Sequence, residues 1–488
     1  MKQVHLISII LFFSFATLTK AQTYFGLQQS NYGGIHQSNL NPANITNTRH
    51  KFYFNTATAG FGFNNDYLSL SAPFSLFDLI SGNVPSQYKN SNGSIKFNDY
   101  WLKESVNGRS KNFNLYYQTK APGFMLQLPA GLALGIQYIN TVNFQINNVA
   151  EPLARLARYG IDSSNGTLSY SGPNQFQVGQ TFGDNAFSIQ ANAYGTLGLT
   201  IAKTIIDNEK TMFKIGVTPK LVMGYATAFV KNRGLQVKAD GTDSIVFGQT
   251  DLEYGYSDPN QFSNLNRVNT NFFNNAVQGK SFAYDFGASF ELKDGGISTA
   301  GYKLRAGISL LDGGKINYGN NMVHSRIQNT SNQTMHFTPA FAQAWSTSSE
   351  QGLKYTDSVL RTMFTIDSSK INVSNTLPTS LNLQFDYHIF KMFYVGMNWS
   401  QDVRGRQTMG MRRASYLMVL PRIESKGFEF SLPIGLMNDY RQTRLGLYFR
   451  MGPVFFGSDN LLSQLKNNNI NGTDLYFGVS FGLLRKNK

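Results

Sequence analysis

The chain contains no cysteine. Without a thiol there is no disulfide framework, no cysteine-linked lipid anchor and no thiolate metal centre. Beyond its first few residues the chain also lacks any uninterrupted run of about eighteen apolar residues, which excludes a membrane-crossing helix. Charge is sparse at 15% of residues, and although the formal net charge is +15, no dense Lys/Arg run occurs. That balance reads as solvated basic loops, with attraction to anionic lipid or glycan as the alternative; no nucleic-acid partner is expected. Histidines are few (His5, His36, His50, His324, His336 and His388), show no close ligand spacing and form no HExxH motif, so neither a metal nor any other cofactor is expected. Gly478-Val479-Ser480-Phe481-Gly482 matches the nucleophile-elbow spelling, but it lies inside a strand pattern rather than at a strand-to-helix turn. No catalytic residues are assigned, and an enzyme is not expected.

Aromatic residues, glycine and alternation are abundant: 39 Phe, 25 Tyr and 45 Gly. Residues 1–21 read as a secretory leader, with Lys2, an apolar stretch from Leu6 to Phe15 and small residues at Thr19 and Ala21. From Asp474 to Arg485, Leu475, Phe477, Val479, Phe481 and Leu483 alternate with Asp474, Tyr476, Gly478, Ser480 and Gly482. A period of two is a strand signal, because successive side chains point to opposite faces. Large apolar residues on one face and small or polar ones on the other fit a barrel wall with lipid outside and lumen inside. Low average hydropathy does not oppose this, since only alternate residues meet lipid.

The same pattern recurs along the chain. Strands are expected at 51–71, 112–128, 132–145, 184–203, 211–230, 281–292, 301–311, 379–389, 393–401, 411–420, 427–434, 442–450, 453–458 and 473–484. Short helices are expected at Phe74–Ile80, from Glu151, and at Glu350–Phe364. The reading is an all-β transmembrane antiparallel barrel of about fourteen strands. Assigned alternately up and down, it puts the long excursions (72–111, 146–183, 231–280, 312–378, 402–410, 435–441, 459–472) on the outer side and the short turns on the other. The domain plan is leader 1–21, N-terminal segment 22–50 and barrel 51–488. The polar 22–50 segment, with its Asn41-Pro42-Ala43 turn, is either a plug folded into the barrel mouth or a loose tether.

Two strands carry polar faces. Asn382, Gln384, Asp386 and His388 share one face; Arg444, Tyr448 and Arg450 share another. Arginine toward lipid is costly at mid-depth, so these residues are expected to face the lumen. They either line a conduction or ligand path or pair with carboxylates inside the barrel.

Pro421-Arg422-Ile423-Glu424-Ser425, the stretch from Gly452-Pro453-Val454-Phe455-Phe456-Gly457 to Leu462, Asp474-Leu475-Tyr476-Phe477-Gly478 and the early Asn41-Pro42-Ala43 carry a resemblance. Here the chain resembles uncharacterised Bacteroidetes outer-membrane barrels related to FadL-like transporters and to PorV. The resemblance implies a fourteen-strand barrel, multi-pass in the outer membrane, whose N-terminal segment enters the lumen as a hatch. It implies either passage or binding of a small hydrophobic ligand, or docking of secretion-system (type IX) or surface proteins through the outer loops. Outer-membrane lipid is the expected surrounding, and a monomer the expected state. A membrane phospholipase, which needs a Ser/His pair, is the least favoured class.

Overall fold

The computed structural model describes residues 24–159, 179, 181–240, 244–257, 277–293, 301–319, 322–336, 340, 343–344, 347, 349–367, 373–405, 408–461 and 470–485. The leader and the glycine turn at Asp294-Gly295-Gly296 lie outside them.

Fourteen antiparallel strands close into a barrel. In chain order they are β1 His50–Asn65, β2 Lys111–Gln127, β3 Leu132–Val149, β4 Thr181–Asp207, β5 Thr211–Ala239, β6 Gly279–Leu292 and β7 Leu304–Gly319. Next come β8 Ser380–Phe390, β9 Phe393–Asp402, β10 Tyr416–Glu424, β11 Phe428–Ser431 with Ile434–Met437, β12 Gln442–Leu445 with Leu447–Met451, β13 Val454–Ser458 and β14 Gly472–Leu484. Each pairs with its neighbours in sequence, and β1 pairs with β2 on one side and β14 on the other. Closure leaves no open edge, which satisfies the backbone where water is absent.

Alternation builds the wall. In β6, Phe282, Tyr284, Phe286, Phe290 and Leu292 are exposed, while Ala283, Asp285, Ser289 and Glu291 between them are buried. In β14, Phe477, Phe481 and Leu483 face out and Asp474, Tyr476 and Ser480 face in. Ile201, Ile215, Ile308, Phe385, Val419 and Phe456 continue the apolar belt around the barrel. No helix among the described residues is long and apolar enough to cross a membrane; the belt is made by strands.

Several strands differ from expectation. β1 stops at Asn65, whose side chain caps the turn, and Leu68–Leu70 pairs instead with Leu102–Glu104 outside the barrel. The strands β4 and β5 run 27 and 29 residues. About ten residues suffice to cross a bilayer, so both rise well beyond the belt. The upper part of β5 pairs with Ser244–Ser257, which pairs in turn with Met322–Asn329 and Gln333–His336, making an outer sheet. The strand placed at 411–420 is β10, Tyr416–Glu424, so Pro421 lies within it rather than opening a turn. It is tolerated because the facing strand β11 is interrupted there, at Leu432-Pro433, where no ladder donor is needed.

The expected helices form at Leu76–Ser81, Glu151–Tyr159 and Ser349–Met363. The first is closed by a capping box: Ser75 accepts from Asp78 N, and Asp78 accepts from Ser75 N.

Candidate functional site

Residues 24–49 fold inside the barrel as a short helix, Phe25–Gln29, and two 3-10 turns, Gly34–Asn39 and Pro42–Asn47. Their lack of periodicity follows from their surroundings, because each turn meets a different part of the inner wall. Tyr24 and Leu27 pack with Tyr448, Phe455 and Tyr476. Phe25 packs with Tyr416, Met418 and Leu420. Ile35 and Ile45 pack with Tyr53, Met125, Ala133 and Ala202. His36 lies among rings, 5.9 Å from Tyr53 and 5.8 Å from Phe455, and burial lowers its pKa well below the usual range. It is a neutral packing residue.

The Asn41-Pro42-Ala43 turn has a seat cut for it. Asn41 Nδ2 donates to the carbonyls of Ala288 (2.9 Å) and Ile308 (3.2 Å), and Asn41 Oδ1 accepts from Ala43 N. Beneath it the wall residues are glycines. A Cβ on Gly216 would stand 2.5 Å from Ala43 N and from the Pro42 carbonyl carbon, and one on Gly287 would stand 2.1 Å from Asn41 Oδ1. Gly216 and Gly287 are cross-strand partners, so together they form one notch.

Toward the short-turn end the segment meets a layer of buried charge. Asn31 donates from its backbone N–H and from Nδ2 to Glu424 (3.1 and 2.8 Å), and its Oδ1 accepts from Arg305 (3.2 Å). Ser30 donates to Glu429 (2.7 Å), and Asn47 donates to Glu291 (2.7 Å). Behind these contacts Lys214 and Arg305 pair with Glu291, Arg422 pairs with Asp386 and Glu424, and Arg450 pairs with Glu429. Acids and bases balance within the layer, as burial demands: an unpaired ion there costs several kcal/mol, about 3–5 when one partner is removed.

The polar residues singled out in the sequence separate into two levels. Gln384 accepts from Asn44 (2.8 Å) and donates to Gln29 (3.2 Å), so it touches the N-terminal segment directly. Asp386 and Arg450 belong to the charged layer, Arg450 also covering the Tyr32 ring at 4.6 Å. Asn382 bonds back to Ser380, and His388 stands 3.0 Å from the Lys391 carbonyl at the turn. Tyr448 packs against Tyr476. Arg444 lies at the other end, donating to Asn64 (3.0 Å) and Asn471 (3.1 Å). Glu429 and Arg305 were not singled out, and Arg422 and Glu424 stand in the sequence reading only within the Pro421–Ser425 motif, although Met418, Leu420, Arg422 and Glu424 are an inward-facing alternation once β10 is carried through Pro421.

Arg444 helps line a cavity of about 70 Å³ at the outer end, with Phe63, Tyr116, Arg413, Tyr416, Met437 and Asp474. Three of the lining residues carry buried donors with no partner among the described residues: Tyr116 Oη, Arg413 Nε and Asn438 Nδ2. The cavity floor is continuous with the N-terminal segment, because Tyr416 also packs with Phe25, and Met437 packs against the cluster they form.

A family model described as "Family of unknown function (DUF5723)" matches residues 42–459. No curated protein matches the chain. Among solved structures, the chain is similar to a TodX deltaS2S3 mutant monoaromatic hydrocarbon channel (9% identity, 96% of each chain covered, TM-score 0.39). It is also similar to the Ralstonia pickettii toluene transporter TbuX (9% identity, 91% of this chain and 92% of that one, TM-score 0.33). A Pseudomonas aeruginosa FadL homologue gives 8% identity over 93% of this chain and 97% of that one, with a TM-score of 0.21. Superpositions this loose carry no argument; the barrel rests on its own strand pairing.

Proposed function

Because the chain belongs to the family of unknown function (DUF5723), a name that assigns no activity, we propose a function from the barrel itself: an outer-membrane protein that binds a small, mostly apolar ligand at its outer end and passes it through a lumen closed by the N-terminal plug, residues 24–49. The apolar belt supports the membrane setting, and the even strand number with long excursions at one end supports the orientation.

The observation that carries the reading is the shared surface at Tyr416. The Tyr416 ring that floors the cavity also holds Phe25 of the plug. A molecule large enough to be a typical ligand needs a pocket of several hundred Å³, so it fits only by taking the place of plug side chains. Ligand entry and plug release are thereby the same event. The orphan donors of Tyr116, Arg413 and Asn438 favour a ligand with one hydrogen-bond-accepting group on an apolar body.

The docking alternative has less support. Among the described residues of 312–378, no large apolar side chain is exposed to receive a partner.

Reconstitution in liposomes tests the proposal, comparing the intact barrel with a deletion of residues 24–49. The intact form should be tight to small hydrophilic solutes and take up apolar probes, and the deletion should leak. A deletion variant that folds and stays impermeable to both would refute the proposal.

A further inference from the structure

The charge that the lumen keeps balanced is unbalanced on the outside of the same end. Within the barrel, Lys214, Arg305, Arg422 and Arg450 are matched by Glu291, Asp386, Glu424 and Glu429. Around the outer rim of the short-turn end stand Lys51, Lys203, Lys303, Lys391 and Lys426, all exposed or half-exposed. The acids of that rim among the described residues are Asp207 and Glu209, and Asp207 is already paired with Lys293. The rim therefore carries a net positive collar without enough carboxylates of its own to neutralise it.

The collar's position decides what it meets. Its cations sit beside the last outward-facing apolar residues of the belt: Lys51 precedes Phe52, Lys203 is two residues from Ile205, Lys391 lies between Phe390 and Met392, and Lys426 precedes Phe428 by two. Lys303 lies along the outward-facing Tyr387, its Nζ 4.9 Å from the ring centroid. This is the snorkelling arrangement, an apolar stem on the hydrocarbon edge and a charged head at headgroup depth. Lys51 and Lys203 stand on strands and Lys303 lies along the flank, whereas Lys391 and Lys426 lie in the turns just below the belt.

We propose that this collar is a binding surface for anionic phospholipid headgroups, whose phosphates supply the counter-charge the rim lacks. The proposal rests on the outer-membrane reading above, and it adds the lipid class and the residues that select it. A cation held at an anionic lipid surface contributes up to about fivefold in association, so a ring of them gives a measurable preference.

The test uses the full-length barrel in phosphatidylcholine vesicles carrying a trace of spin-labelled phosphatidylglycerol or spin-labelled phosphatidylcholine. The fraction of label immobilised at the protein surface is read for each. The expected result is a several-fold preference for phosphatidylglycerol, lost in high salt. The triple variant Lys203→Gln/Lys391→Gln/Lys426→Gln should bring the ratio toward one while still inserting and keeping the gel mobility of a folded barrel. Equal immobilisation of both labels by the wild type, or an unchanged preference in a folded variant, would overturn the collar. Salt-sensitive capture of soluble peptidoglycan fragments without lipid preference would do so too. Failure to insert into phosphatidylcholine vesicles at all would instead sink the membrane reading, so the two failures are distinct.

Discussion

Phe25 meets Tyr416 edge-on, with ring centroids 4.8 Å apart and planes at 72°. One ring belongs to the N-terminal segment and the other to the floor of the outer cavity, so in the proposed function this contact couples ligand space to closure. Removing a buried phenylalanine ring typically costs about 3–5 kcal/mol, here from plug docking rather than from the wall, whose strands keep their ladders. Phe25→Ala is expected to leave the barrel folded, raise small-solute leakage in liposomes and speed proteolysis within 24–49. Wild-type tightness together with wild-type protease resistance would show that the contact does not hold the plug.

Gly216→Ala tests the seat of the Asn41 turn. The new methyl would meet plug backbone at 2.5 Å, and backbone cannot swing aside as a flexible side chain can. Overpacking of this kind costs about 1–3 kcal/mol. The variant should release the plug much as Phe25→Ala does, seen as faster hydrogen exchange across 41–47 with unchanged exchange in β5. Slower exchange in both would contradict the geometry.

Arg422 is a third test, because it bridges Asp386 (2.6 Å) and Glu424 (2.6 Å) with no side-chain exposure. Arg422→Met would leave two buried carboxylates facing each other, at a cost of about 3–5 kcal/mol. Refolding yield and urea midpoint should both fall. The double variant with Asp386→Asn should recover part of the loss, since one of the stranded charges is then gone. No recovery would place the effect in packing rather than charge.

How much of this was legible beforehand follows from the range of each interaction. The faces of β6 and β14 could be read locally, because Phe282 to Leu292 and Leu475 to Leu483 alternate without interruption. β10 was misplaced because Pro421 reads locally as a turn, and the break at Leu432-Pro433 that accommodates it lies in the next strand. The notch at Gly216 and Gly287 could not be read at all: the two glycines become neighbours only when β5 pairs with β6, and Asn41 reaches them from the far end of the chain. Asp386 was visible as an inward-facing acid, but its partner Arg422 was hidden by the same proline.

The outer sheet offers a test in pH. Glu253 accepts from His324 Nε2 (3.0 Å) and from Arg233 Nη2 (2.5 Å). The hydrogen bond from His324, with Arg233 beside it, lowers the carboxyl from its ordinary value of 4.5 to about 2. A carboxylate with a depressed pKa contributes stability that is fully present above its unfolded value and is lost as pH falls through its folded one. The window is therefore from about 4.5 down to about 2. Within it, protection of the amides that pair Ser244–Ser257 with Met322–Asn329, corrected for intrinsic exchange, should fall steadily. Because the barrel wall below is built on separate ladders, β6 and β7 should keep their protection in the same samples. Glu253→Gln removes the titrating group, so it should start with weaker protection and show a flatter profile through the window. A variant whose profile still tracks the wild type would assign the acid sensitivity to another carboxylate and free Glu253 of the role.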